Sequence, residues 1–142
     1  MSYRVKYKEF DDLEKKLERV ADKSVNICKG MVFSGAGTVA DAVRSSLNSK
    51  LSDEATGELA KSLDIATIKA AGTVYTKVHF SGYDSKGVPN AIKAAVLESG
   101  RSDQPNRDKT HFFSEGVRGS RNQAVQDMQD KLDKMINSIT GD

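Results

Sequence analysis

Apolar residues in the first third of the chain recur at helical spacing. Over residues 9–22 they form one stripe, and the opposite face is charged, which is typical of a solvated helix face. A second stripe, with steps of three and four residues, continues to about residue 50. Its members are Val25, Cys28, Val32, Ala36, Val39, Val43 and Leu47. The pattern predicts helices over residues 9–50 and makes Cys28 a core residue.

Three glycines interrupt the second stripe. Gly30, Gly35 and Gly37 lie within it, and each is less favourable than alanine in a helix by roughly 1 kcal/mol. Small residues at these positions allow a neighbouring element to come close. We therefore predict that another element packs against this helix at its glycines.

The period changes to two after residue 62. Leu63 and Ile65 suggest one strand, and the alternation of Val74, Val78 and Phe80 with polar residues gives a stronger second strand. The pattern predicts an antiparallel hairpin over residues 62–81 with its turn at 69–72 and one covered face. His79 is then expected on the more exposed face.

Two further helices are predicted after the hairpin. A short helix over residues 89–99 would bury Ile92 and end at Gly100. A loop over residues 100–112 would follow, and a C-terminal helix over 120–139 would begin at a capping box formed by Ser120 and Gln123. The element order predicts a single α+β domain, 1–142, with two N-terminal helices and the C-terminal helix packed on a small antiparallel sheet.

Composition narrows the function classes. With 22 basic and 20 acidic residues, the chain lacks the positive electrostatic field typical of nucleic-acid-binding proteins. It has no tryptophan and few other aromatic residues on which bases could stack. One cysteine and two histidines argue against a zinc site in this chain. The start, MSYRVKYKEF, lacks the apolar core of a secretory signal, and no run approaches the roughly 20 apolar residues of a membrane span. We expect synthesis in the cytoplasm and no membrane partner.

The segment AAVLESGRSDQPNRDKTHFFSEGV, residues 94–117, is the best candidate for chemistry. His111 is its only side chain that ordinarily titrates near neutrality, and no serine or cysteine stands in a recognisable nucleophile motif. No carboxylate cluster has metal-ligand spacing. The residues therefore predict no enzyme, no metal, no cofactor and no small-molecule substrate.

Three short motifs resemble a known family when taken in order. TGELAKSL carries Thr56, Gly57 and Leu59, KAAVLESGR carries Glu98 and Gly100, and THFFSEGV carries Phe112 and Phe113. They resemble the T-G-x-L-x-x-S, V-E-F-G-T and double-aromatic motifs of the tail-completion, or head–tail joining, family of long-tailed phages. The minor tail protein Z of lambda is a distant relative of that family. The chain departs from the family's motifs at Lys93, Ser99, Arg101, His111 and Glu115.

The resemblance implies a structural virion protein without catalysis. Subunits would form a ring, expected to be a hexamer, at the head-proximal end of a tail in the neck of the virion. The ring would complete the tail and join it to the head connector, with the tail tube protein as its other partner and DNA at most passing through the lumen. A tail terminator that caps the tube is the alternative, because both are rings at the same place.

The motif residues also have a physical interpretation. Gly57 can turn the chain from helix to sheet, and Gly100 can end a helix in a left-handed conformation. Glu98 stands at the carboxyl end of its helix, where the dipole disfavours an anion, so we expect a cationic partner. We expect Phe112 and Phe113 to anchor the segment, one in the core and the other there or in a neighbouring subunit.

Two surfaces are candidates for contacts between subunits: the loop SDQPNRDK, residues 102–109, and the edge of the hairpin. A more remote alternative is a nucleic-acid-binding or regulatory module. Its basic patch would combine Arg101, Arg107, Lys109, Arg118 and Arg121, although three acidic residues are interspersed among them.

Overall fold

Two long helices dominate the computed structural model, which describes residues 15, 18–51, 57–71, 73–100 and 109–141. Helix α1 spans Ser24–Lys50 and helix α4 spans Phe112–Thr140. They run antiparallel and make the most extensive contact between elements. Residues 18–22, which precede α1, are also helical. The predicted helix over 9–22 falls mostly outside the described residues.

Glycines set the distance between α1 and α4. A Cβ atom at Gly30 would lie 2.6 Å from Sδ of Met135, and one at Gly35 would lie 2.7 Å from Sδ of Met128. At the other end of the pair, a Cβ on Gly116 would lie 2.7 Å from Cα of Val43. The predicted close approach is thus confirmed at Gly30 and Gly35, and α4 is the element that approaches. The prediction was wrong at Gly37, where nothing lies within 4 Å of the Cβ position.

Helix α4 begins eight residues earlier than predicted. Ser120 is not a cap but lies inside the helix, buried, with its hydroxyl donating to the carbonyl of Gly116 at 2.7 Å. The predicted start at residue 120, and a loop reaching to 112, were therefore wrong. The prediction followed the capping-box pattern of Ser120 and Gln123, whereas packing against Val43 stabilises helix at Gly116 in spite of the low helix propensity of glycine.

The strands form one interrupted hairpin. β1 (Leu63–Ile65) pairs antiparallel with β4 (Val78–Phe80), and β2 (Lys69–Ala71) pairs antiparallel with β3 (Thr73–Tyr75). Between these ladders, residues 66–68 face residues 76–77, so the first half of the hairpin carries one extra residue, as in a β-bulge. Residues 69–71, predicted as part of the turn, are strand. His79 is exposed, as expected.

The hairpin and two shorter helices complete an α+β fold. The short helix α2 spans Glu58–Lys61, and α3 spans Asn90–Ser99. One core cluster joins α1, α2, β1, β4, α3 and the first turn of α4, with Phe112, Leu47 and Val43 fully buried. The small sheet with helices packed on it is the predicted fold class.

Several positions that were predicted to face inward are exposed. On the stripe of α1, Val25 is 49% exposed and Cys28 is exposed, because the face of α1 that meets α4 carries Ile27, and neighbouring residues differ by about 100° around a helix. In α3 the side chain of Ile92 is 56% exposed, and Ala95 is exposed as well. These errors arose because periodicity does not show on which side of a helix its packing partner lies.

A matched pair of glycines tests the helix contact. Gly116→Ala should lower the free energy of unfolding by roughly 1–3 kcal/mol, because the new methyl group collides with the backbone of α1. Gly119→Ala is the control, since nothing lies within 4 Å of its Cβ position, and it should raise stability by up to about 1 kcal/mol. Urea unfolding followed by circular dichroism measures both. Equal stability of the two variants would contradict the close approach.

Candidate functional site

The carboxylate of Glu98 caps the amino end of α4. Its Oε2 accepts the backbone N–H of Phe113 at 2.8 Å, and its Oε1 accepts the backbone N–H of Ser114 at 3.2 Å. The hydroxyl of Ser114 also donates to Oε1. The first amides of a helix lack partners within it, and the positive end of the helix dipole favours an anion there. Glu98 thus stabilises α4 from the last turn of another helix.

This arrangement replaces the cationic partner that was expected for Glu98. The prediction considered only the dipole of α3, whose carboxyl end disfavours the charge. It could not include the amino end of α4, because the start of that helix was placed eight residues too late. The interaction that stabilises Glu98 is therefore a helix terminus rather than a lysine or arginine side chain.

Backbone hydrogen bonds join the same two segments. The carbonyl of Leu97 accepts the N–H of Thr110 at 2.9 Å and its hydroxyl at 2.6 Å, and the carbonyl of Glu98 accepts the N–H of His111 at 3.2 Å. These bonds satisfy carbonyls at the end of α3 that have no helical partner. Together with the Glu98 cap they form what we call the α3–α4 junction, residues 97–100 and 110–114.

Two residues of the junction have positive φ angles. Gly100 follows the end of α3 with φ 77° and an extended ψ of −172°, so it ends the helix as predicted but outside the left-handed helical region. His111 has φ 51° and ψ 27° and stands immediately before α4. Among the described residues it is the one non-glycine with positive φ. The chain therefore turns sharply at both sides of the junction.

Three phenylalanines form the apolar side of the junction. The rings of Phe80 and Phe112 meet edge to face with centroids 5.8 Å apart, and Phe113 lies 6.4 Å from Phe80 and 6.3 Å from Phe112. Phe112 is fully buried, as predicted for one of the pair, and Phe113 is half-buried against the core. A small pocket of about 190 Å³ opens between these rings, Ala94, Ala95 and Glu98.

The first motif reaches the same core from the other side. Gly57 has φ 79° at the start of α2, a conformation that favours glycine. Leu59 is buried in the cluster that contains Phe112. The structure thus brings Gly57, Leu59, Glu98, Gly100, Phe112 and Phe113 into or next to one packed unit. Thr56, Arg101 and Arg107 lie outside the described residues.

Opposing effects act on the pKa of Glu98. Partial burial tends to raise this pKa, but the hydrogen bonds from Ser114 and the two backbone amides lower it, and the charge of His111 adds to the lowering. The net result is a pKa below the usual range of a glutamate. The carboxylate is therefore charged at neutral pH, which is the state that caps the helix.

The geometry of the junction is suited to holding elements in place. The two oxygens of Glu98 already receive three hydrogen bonds, so neither is placed to take a proton from a substrate. Within the described ranges, no group of three His, Cys, Asp or Glu side chains could hold a metal ion. In the same part of the chain, no helix is both long and apolar enough to cross a membrane.

Sequence reasoning missed several polar contacts around the junction. Lys93, where the phage family has tyrosine, donates to Oδ2 of Asp84 at 3.0 Å, and Oδ1 of Asp84 accepts two loop amides. These bonds lower the pKa of Asp84, the Val88 amide most of all. The Asp-Ser-Lys-Gly sequence is a turn signal, and it could have indicated this role.

The basic residues of the alternative patch are only partly described. Lys109, Arg118 and Arg121 are exposed. They lie at the start of α4 and in the residues just before it, next to the junction. Comparison with known proteins gives no further identification: no family model, no curated protein and no solved structure matches this chain.

Replacing Glu98 tests the cap. Glu98→Gln should lower the free energy of unfolding by about 1–2 kcal/mol, because an amide nitrogen cannot accept the bonds that α4 donates. Glu115→Gln is the matched control, since Glu115 stands in the same first turn but, within the described part of the chain, its side chain forms one exposed ion pair, with Lys50 at 3.3 Å. The control should lose less than about 1 kcal/mol. Similar losses in chemical unfolding would argue against a special role for Glu98.

The lowered pKa of Glu98 predicts an acid-dependent loss of stability. A carboxyl whose pKa is lower when folded contributes its full stabilisation above the unfolded value of about 4.3, and loses it as pH falls through the lower folded pKa. Thermal melting between neutral and acid pH should show this loss in the parent protein and a smaller one in Glu98→Gln. Asp84 and Asp127 also have lowered pKa values, so some acid dependence should remain. An identical pH profile would contradict the assignment.

Proposed function

We propose that this protein is a structural virion assembly protein, a ring-forming subunit at the head-proximal end of a phage tail or phage-tail-like particle. It completes the tail and joins it to the head connector. Its partners are further copies of itself, the tail tube protein and the connector. The protein would assemble in the bacterial cytoplasm and remain in the neck of the particle.

The α3–α4 junction is the observation that supports this proposal. Two motifs carry most of the resemblance to the tail-completion family: the one that contains Glu98 and Gly100, and the double-aromatic motif. They interact directly, because Glu98 accepts hydrogen bonds from the first amides of α4. Leu59 of the T-G-x-L motif is buried in the same core as Phe112. These motifs lie apart in the sequence but meet in one structural unit. We expect this of a family whose shared residues maintain the fold of a structural subunit.

The mechanism we propose is complementarity between copies. Subunits that contact each other head to tail through two different surfaces generate a ring when the rotation closes. The junction fixes both ends of the segment 101–108, which the sequence makes a candidate contact surface together with the hairpin edge. Phe113, which is half-buried and follows this segment by five residues, is a candidate anchor.

Electron microscopy of particles made without the protein tests this function. Interrupting the gene in the phage or prophage that carries it should give full heads and unattached tails, and supplying the intact gene in trans should restore joined particles. Tails of uncontrolled length would instead indicate a tail terminator. Normal particles would exclude a role in the neck and favour the binding-module alternative.

A further inference from the structure

A lysine-rimmed pocket lies at the far end of the α1–α4 pair, away from the junction. It has a volume of about 370 Å³. Ile27, Met135 and Ile139 supply its apolar side chains, and its basic rim consists of Lys23, Lys131 and Lys134. Among the residues that the structure describes, no carboxylate lines this pocket.

The rim lysines have no ion-pair partner among the described residues. Nearby aspartates on α4 are engaged elsewhere, each by a glutamine four residues before it. Asp127 accepts from Gln123 and also from Thr38 of α1, Asp130 accepts from Gln126, and Asp133 accepts from Gln129. The pocket therefore combines an apolar interior with a positive rim. A segment with apolar anchors among carboxylates has complementary chemistry.

The chain itself contains such a segment. Residues 9–14 lie outside the described part of the chain, and their sequence is EFDDLE, with four carboxylates around Phe10 and Leu13. The two apolar side chains, three residues apart, can enter a small apolar pocket, and the carboxylates beside them can pair with the lysines of its rim. Residues 51–59, LSDEATGEL, also carry acids without a basic residue, but they spread three carboxylates over nine residues and lack an aromatic anchor.

The described residues that precede α1 lead away from the pocket. Lys15 and residues 18–22 are helical, and the hydrogen bonds from Lys23 N to Arg19 O and from Ile27 N to Lys23 O carry the helical direction into α1. At the rise of an α-helix, Lys15 lies about 12 Å beyond Lys23 along the axis. The segment EFDDLE is attached at Lys15, on the side away from its own pocket, and this favours the pocket of a neighbour.

We infer that the lysine-rimmed pocket binds residues 9–14 of a second copy of this chain. The apolar anchors Phe10 and Leu13 enter between Ile27, Met135 and Ile139, and the acidic residues pair with the lysines of the rim. Each copy offers one segment and one pocket, so the contact is head to tail. The inference concerns association between copies, and it stands or falls separately from the role in tail assembly.

Charge reversal tests the contact in the full chain. Lys131→Glu/Lys134→Glu reverses the pocket rim, and Asp11→Lys/Asp12→Lys reverses the segment. Sedimentation velocity over a concentration series should show that each variant alone self-associates about tenfold or more weakly than the parent, because like charges face each other. An equimolar mixture of the two variants should regain association, because each segment then meets a pocket of opposite charge.

The matched control reverses two basic residues that lie outside the pocket and away from the α3–α4 junction. Lys61→Glu/Lys86→Glu changes the net charge by the same amount as the pocket variant, and both side chains are exposed. This variant should associate as the parent does, and thermal melts should show that all variants fold. Loss of association in the control, no loss in the two test variants, or a parent protein that stays monomeric at every concentration would overturn the inference.

Zero-length crosslinking identifies which chain supplies the segment. Carbodiimide couples carboxylates to lysines in contact, and mixing light with nitrogen-15-labelled protein distinguishes links within a chain from links between chains. Links between residues 9–14 and Lys131 or Lys134 should be mixed-isotope. Links within single chains only would assign the pocket to its own segment and overturn the inference. Joined particles after interruption of the gene would reject the tail role and leave this result unaffected.

Discussion

The close approach of α1 and α4 is the constraint on which the rest of the structure depends. At Gly116 the backbone of α4 comes so near to Val43 that a methyl group has no room, and Gly30 and Gly35 receive methionine side chains farther along. Because interiors are close-packed, this spacing determines where the hairpin can lie against α1 and which residues of α4 enter the core. Glu98 then determines where α4 begins, since its carboxylate supplies the acceptor that the first amides need.

The sequence predicted the elements better than their ends. Periodicity identified the three longer helices α1, α3 and α4, the hairpin and the α+β class, because burying one face imposes the pattern whatever the partner is. It did not predict the short helix α2. It failed where tertiary contact overrides local preference. Gly116 lowers helix propensity yet lies inside α4, and Ser114 is part of a cap whose acceptor comes from another helix. Cys28 and Ile92 were assigned to the core because periodicity gives a stripe but not the direction of the neighbour.

In the candidate site, too, some residues could be predicted from the sequence and others could not. Phe112, Leu59 and Gly57 behave as their residue types suggest, since a large aromatic, a leucine and a glycine before a helix have few alternatives. The partner of Glu98 could not be inferred from the sequence. The contact joins the end of α3 to the start of α4, and neither segment alone shows that the two lie close together in space. The sequence did contain a signal for this contact: Glu98 lies three residues before the loop, and Ser114 and Glu115 follow the loop.

The α3–α4 junction also separates the segment 101–108 from the stability of the fold. Its flanks are held by the hydrogen bonds from Thr110 and His111 to the end of α3, whatever lies between them. The entropy of closing a loop grows only with the logarithm of its length, so added residues there have a small energetic effect. A peptide inserted in this segment should therefore leave the core unchanged, so that its effect on contacts with other copies can be measured in a protein that still folds.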